Sequence, residues 1–163
     1  HKINDIVIRP IEEKDNEELA KLIRRIFEEF DAPRSESVYS DPTTDRLYQH
    51  FNQSNAKYWV AQWENSIVGG CGFYPTNGLP GGCCEVVKFY LSSSIREKGI
   101  GSRLLFLTEE LAKKAGYKQL YIETFPCFRA AVYLYDKRGF KDLDARLGKS
   151  GHTATTIHMI KDI

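Results

Sequence analysis

One stretch of this sequence has residue types and spacing suited to holding an anion. Between a strand ending near Leu91 and a helix opening near Gly99, the chain reads Ser92-Ser93-Ser94-Ile95-Arg96-Glu97-Lys98-Gly99-Ile100-Gly101-Ser102. Gly99 and Gly101 remove side chains where the helix begins, so its first backbone N–H groups face outward. Those donors have no intrahelical partners and carry the positive end of the helix dipole, which together make a seat for a phosphate. Arg96, Lys98 and Arg103 place three cations within eight residues around that seat. The same residues also describe a glycine-softened helix start with solvated basic side chains. The loop has neither the G-x-x-x-x-G-K-[ST] pattern of a P-loop nor the G-x-G-x-x-G pattern of a dinucleotide fold. Context favours the anion site, because a strand leads in and a long amphipathic helix leads out.

The elements that must position this loop follow from hydropathy spacing. Residues 6–11 alternate as a short strand. Asp15 or Asn16 is placed to cap a helix whose stripe is Leu19, Leu22, Ile23, Ile26, Phe27 and Phe30. Residues 31–41 hold Pro33 and several serines and read as a loop; 43–51 read as a short helix with Leu47, Tyr48 and Phe51 inward. Strands are expected at 57–63 and 67–74, joined by a turn at Glu64-Asn65, and again at 85–91 after a glycine-rich connection. The helix over 99–115 puts Ile100, Leu104, Leu107, Leu111 and Ala115 on one face and stops at Gly116. A strand at 118–124, a helix at 128–137, and strands at 140–143 and 156–160 complete the chain. Early hairpin strands followed by strand–helix–strand units predict a mixed α/β (α+β) fold, one domain spanning residues 1–163.

Charge and composition exclude several partners. Against 23 lysines and arginines stand 22 aspartates and glutamates, a net charge of +1. That balance argues against a bulk electrostatic grip on nucleic acid or on an anionic membrane. No run approaches the roughly 18 apolar residues of a membrane span, and His1-Lys2-Ile3-Asn4-Asp5 lacks the apolar core of a signal peptide. Cys71, Cys83, Cys84 and Cys127 form no C-x-x-C pair and suit no common zinc spacing, so reduced cysteines in a cytoplasmic protein without a metal are expected.

Arg96-Glu97-Lys98-Gly99-Ile100-Gly101 resembles the R/Q-x-x-G-x-G/A loop with which the GNAT superfamily of N-acetyltransferases binds the pyrophosphate of acetyl-CoA. Leu134-Tyr135-Asp136-Lys137-Arg138-Gly139-Phe140 resembles the L-Y-x-K-x-G-F segment at the end of that family's last helix. The 34 residues from Gly101 to Tyr135 leave room for an intervening helix and strand. The resemblance covers nearly the whole chain. It implies a mostly antiparallel sheet of six to seven strands flanked by about four helices. It also implies direct transfer of an acetyl group from acetyl-CoA to a primary amine, on a small molecule, within a ternary complex. A protein lysine or N-terminus as acceptor, and a CoA-binding sensor without turnover, are the alternatives. A homodimer paired through edge strands is compatible with the fold.

The resemblance also implies roles for individual residues. The backbone of Lys88, Phe89, Tyr90 and Leu91 would hold the pantetheine arm. The amides of Lys98, Gly99, Ile100, Gly101 and Ser102 would take the pyrophosphate, with Arg96 and Glu97 in the same loop. An amine of pKa about 10.4 is mostly protonated at neutral pH, and a general base is typically worth about 10²–10⁴-fold. Glu85 stands where many family members carry an acidic base, and Glu123, near the end of the next strand, is its rival. Tyr135 matches the tyrosine that often protonates the departing sulfur. One departure is Phe128, seven residues before Tyr135, where many members have Asn. Cys127 beside it raises an acetyl-cysteine route, against which the family's direct transfer speaks. On the acceptor side, Tyr39, Tyr48, Trp59, Trp63 and Tyr74 are candidates for pocket lining or core. His152 is expected as an exposed loop histidine, and His50 and His158 carry no assignment.

Overall fold

A computed structural model describes residues 5–163; the first four residues, read above only as lacking an apolar leader, lie outside it. Strands β1 (Ile6–Pro10), β2 (Lys57–Trp63), β3 (Ser66–Tyr74), β4 (Cys83–Leu91), β5 (Gln119–Thr124), β6 (Lys141–Asp142) and β7 (Ile157–Asp162) form one sheet in the order β1-β2-β3-β4-β5-β7-β6. Every neighbouring pair is antiparallel except β4 with β5, which run parallel. Among the described residues the α-helices are α1 (Asn16–Glu29), α2 (Leu47–Phe51), α3 (Ile100–Lys114) and α4 (Arg129–Lys137). None is long and apolar enough to cross a membrane.

Helices cover both faces of the sheet, and the alternation of β2 shows how. Trp59 and Ala61 enter the core beneath α3, while Tyr58 and Val60 enter a second core beneath α1 and α2. Leu19, Ile23 and Phe27 of the predicted α1 stripe are fully buried in that second core. Three local expectations change. Asp15 does not cap α1 with its side chain; its carboxylate takes two bonds of 2.8 Å from Arg9 and one from the Glu12 amide. Residues 43–51 split into a 3-10 turn, Pro42–Asp45, and the short α2, with Tyr48 only half-buried. The buried face of α3 is rotated: Leu105, Thr108 and Ala112 are buried, Leu107 and Leu111 only partly, and Ala115 is exposed. The cause is Glu109, which faces inward and pairs with Lys161 at 2.8 Å, so a charged position belongs to the packed side.

The feature that shapes the site is a bulge in β4. Gly70 pairs with Tyr90 and Gly72 with Val87, so Cys71 alone stands opposite Lys88 and Phe89. Lys88 takes up the extra residue at a left-handed φ of 54°, a conformation that costs a non-glycine residue roughly 1–2 kcal/mol. Its carbonyl receives a 2.6 Å hydrogen bond from the buried Tyr58 hydroxyl. The phenol reaches it by crossing Gly70, where any Cβ would collide with the Tyr58 hydroxyl. Tyr58→Phe is expected to leave that carbonyl unpaired and to lower stability by about 1–3 kcal/mol. In thermal unfolding this reads as a fall of about 2–4 °C per kcal/mol, and an unchanged Tm would mean that the bulge does not need the phenol.

Candidate active site

β4 and β5 pair only through Cys83–Gln119, Cys84–Leu120 and Glu85–Tyr121. Beyond Glu85 they separate, and the gap widens into a cleft of about 510 Å³ walled by β4, β5, α4 and the start of α3. Gly99 caps α3 at φ 82°, no side chain bonds back to the first turn, and that turn holds no acidic residue. A fifteen-residue helix thus offers uncapped amides to the cleft. A Cβ on Gly101 would stand 3.1 Å from Leu91 Cδ1 and 3.2 Å from Phe89 Cζ, so glycine lets the helix start lie against β4. Phe89, Tyr90, Leu91, Arg96, Glu97, Gly99, Gly101 and Ser102 all line this cleft. The Lys98 side chain is exposed, and that of Ile100 is fully buried in the core.

Arg96 reaches the cleft wall with its guanidinium already engaged. It donates to the Leu91 carbonyl at 2.9 and 3.1 Å, pairs with both Glu29 oxygens, and lies 4.9 Å over the Phe30 ring. Its hydrogen bond holds the Glu29 carboxyl below its usual range. Arg96 therefore ties α1 to the loop, a role that sequence could not reveal because its partner is 67 residues away.

A second cavity, also of about 510 Å³, is edged by Asp41, His50, Tyr74, Thr76, Lys149 and Ser150. The two cavities share Glu85, Val87, Lys88 and His152. Glu85 is 4% exposed and accepts a 2.7 Å bond from the Thr76 hydroxyl. Burial, helped by the nearby Glu123 charge, pushes its carboxyl up to about 7. Glu123 has a different environment. Its side chain accepts from the Tyr121 hydroxyl at 2.7 Å, from Arg146 at 3.0 Å and from the Ser150 hydroxyl. Arg146 in turn donates to the carbonyls of His152, Thr153 and Thr155. Glu123 anchors the loop before β7.

That network folds His152 inward, so it is not the exposed loop histidine expected from sequence. Its side chain is 14% exposed and its Nε2 lies 2.7 Å from Asp41 Oδ2, which holds the Asp41 carboxyl far below its usual range. His50, unassigned from sequence, stacks on Tyr74 at 4.1 Å, and burial pushes its imidazole down to about 4. Of the five candidate aromatics only Tyr74 edges this cavity; Trp59 belongs to the core.

Tyr135 is 4% exposed at the cleft wall, its ring between those of Phe89 and Phe140. Burial raises its phenol well above 10, so the hydroxyl carries its proton at neutral pH. Phe128 packs edge-on against Phe27 and Phe30, at 5.4 and 5.6 Å between centroids, and lines the cleft with a ring. Burial pushes the Cys127 thiol up, the Cys83 thiol to about 11 and the Cys71 thiol to about 12, so none is an activated nucleophile at neutral pH.

The Glu123 side chain is 1% exposed and Arg146 is its cationic partner, so Arg146→Ala leaves an enclosed carboxylate without its cation. A loss of about 3 kcal/mol is expected in urea unfolding. Glu123→Gln in the same chain should recover part of it, and equal midpoints for wild type and Arg146→Ala would remove the pair from the structural account.

The sequence pattern of the acetyltransferase (GNAT) family matches residues 18–140. The uncharacterized N-acetyltransferase YjgM of Escherichia coli K12 is 33% identical over 158 residues, 96% of this chain and 95% of its own. A GNAT-family acetyltransferase of Staphylococcus aureus superposes with a TM-score of 0.80 at 21% identity, over 96% of this chain and 98% of that one. PaiA N-acetyltransferase of Thermoplasma acidophilum, solved in complex with coenzyme A, gives 0.75 at 21% identity, over 97% and 99% of the two chains. With the parted strands, the uncapped helix and the matching sequence in hand, the chain belongs to the GNAT family of acetyltransferases.

Proposed function

We propose that this acyltransferase moves an acetyl group from acetyl-CoA directly to the primary amine of a small molecule, with Glu85 as general base and Tyr135 as general acid. The observation that carries the reading is the position of Glu85, buried on the wall shared by the cofactor cleft and the second cavity. Acetyl-CoA fits the first cleft: the amides of residues 98–102 would receive its pyrophosphate, and the bulged stretch of β4 through Phe89, Tyr90 and Leu91 would run beside its pantetheine arm. When bound it supplies an acyl group activated as a thioester. The chain's own residues then have two proton tasks. Glu85, ionised, takes the proton from the acceptor ammonium and leaves a nucleophilic amine. Tyr135 gives a proton to the departing sulfur. A base with pKa near 7 is matched to both halves of its task at neutral pH, being ionised often enough and still basic. Glu123 is the weaker candidate because both its oxygens already accept hydrogen bonds. The second cavity, roofed by the loop that carries Ser150 and His152, has the dimensions of a small-molecule pocket. The four free cysteines accord with a reducing cytoplasm.

In the wild type, kcat/KM is expected to rise as pH passes about 7, where Glu85 ionises. Glu85→Gln should abolish that rise and cost about 10²–10⁴-fold in rate. Stability carries the same signature with opposite sign. Folding keeps Glu85 protonated above its unfolded value of 4.5, so stability falls as pH rises from there towards about 7. The glutamine variant should therefore melt higher than wild type at pH 8 and lose that advantage near pH 4. An unaltered pH–rate profile in Glu85→Gln would overturn its role as base.

Tyr135→Phe is expected to lower kcat while acetyl-CoA still raises the Tm of the variant. Unchanged turnover would remove the acid role, and loss of the acetyl-CoA effect would make Tyr135 a cofactor-binding residue instead.

A further inference from the structure

Resting on the reading above, we propose that the acceptor carries an anionic group, a carboxylate or a phosphate, beside its reactive amine, and that Lys88 binds that group. Lys88 is 6% exposed, yet no hydrogen bond or ion pair ties its amine to any described residue. Lys88 Nζ is not one of the fully enclosed unpaired polar atoms of the described residues, so it opens to a cavity, where a ligand anion would gain a charge-assisted bond, rather than into packed core. Lys88 lines the second cavity together with Asp41, His50 and Glu85, and those three groups feel its charge.

The backbone aims it there. Along a regular strand Glu85 and Val87 share one face and Lys88 would take the other. The bulge, with Lys88 at φ 54° and its carbonyl held by Tyr58, breaks that alternation and lets Lys88 line the same cavities as Glu85 and Val87.

The carboxylates nearby do not explain the lysine. Asp41 accepts from His152 at 2.7 Å and from the Thr43 amide and hydroxyl at 2.9 and 2.8 Å. Glu85 accepts from Thr76 at 2.7 Å, and neither carboxylate is in ion-pair contact with Lys88. Lys149, exposed at the edge of the same cavity, adds a second cation towards solvent. An acceptor that offers its ammonium to Glu85 and an anion to Lys88 satisfies both buried groups at once.

The test is a set of matched acceptors followed by release of the CoA thiol: phenylalanine, phenylalaninamide and phenethylamine; methionine, methioninamide and its decarboxylated amine; phosphoethanolamine and ethanolamine. In at least one set the anionic member should exceed its neutral partners in kcat/KM by at least about tenfold. Lys88→Met should bring that ratio close to one, and Lys88→Arg should retain part of it. Using the ratio within each variant makes the readout insensitive to a general loss of activity. Which set responds separates a carboxylate from a phosphate. A ratio near one in every wild-type set, or one that survives Lys88→Met, overturns the proposal. Failure of the N-acetylation reading is separately visible, as no acetylation of any amine. In that event calorimetry on CoA-saturated protein decides the anion site, with N-acetylphenylalanine, N-acetylphenethylamine and phosphoethanolamine as probes. Tighter binding of an anionic probe, lost in Lys88→Met, supports it; equal or absent binding overturns it.

Discussion

The parallel pairing of β4 with β5 lasts three residues and then fails, and both halves of the site depend on where it fails. If the two strands stayed in register to their ends, their edges would close and nothing could pass between them. The bulge at Lys88 follows three residues after the last pair, and it is held by groups whose packing is specific to it. A phenol from β2 fixes the carbonyl, and a glycine in β3 lets the phenol through. The backbone strain at Lys88 persists because packing on both faces of the sheet fixes its surroundings. The first cleft and the placement of Lys88 both lie where regular pairing ends.

Two buried carboxylates, Glu85 and Glu123, show how environment divides labour within one site. Glu123 is surrounded by donors, among them an arginine that also gathers three carbonyls of the following loop, so its charge is compensated and it holds structure together. Glu85 has one hydroxyl donor and no cation in contact, so burial dominates and its proton affinity rises to where a proton can be exchanged at neutral pH. The same side chain type is an anchor in one place and a carboxyl of raised proton affinity in the other.

Most of the architecture was legible from the sequence because it rests on short-range regularities. The alternation of β2, the stripe of α1 and the glycine pair before α3 are local signals, and the structure has these elements within a residue or two. Glu85 and Tyr135 were placed through the resemblance of the loop and the last helix, and the structure brings both to the cleft. What sequence could not supply depends on partners far along the chain. Arg96 is expected from sequence beside a pyrophosphate, and its pairing with Glu29 of α1 is invisible to local spacing. His152 looked like an exposed loop residue until Asp41 was found beside it. The inward face of α3 was misjudged because Glu109 is buried with a lysine from β7, and counting apolar residues cannot recognise a charge that is paired. Lys88 was read only for its backbone, since no local signal marks a bulge that a distant tyrosine secures.

The contact between Asp41 and His152 spans 111 residues of chain, whereas the first cleft is built chiefly from the continuous stretch that runs from β4 through α4. The two cavities thus differ in contact order, although loop-closure entropy, which grows only slowly with length, weighs little more on the second than on the first. The first cleft draws mostly on neighbouring strand and helix units, with the tie from Arg96 to Glu29 bringing in α1. The second cavity is complete only once Asp41 and His152 have met, so its shape is a property of the finished fold.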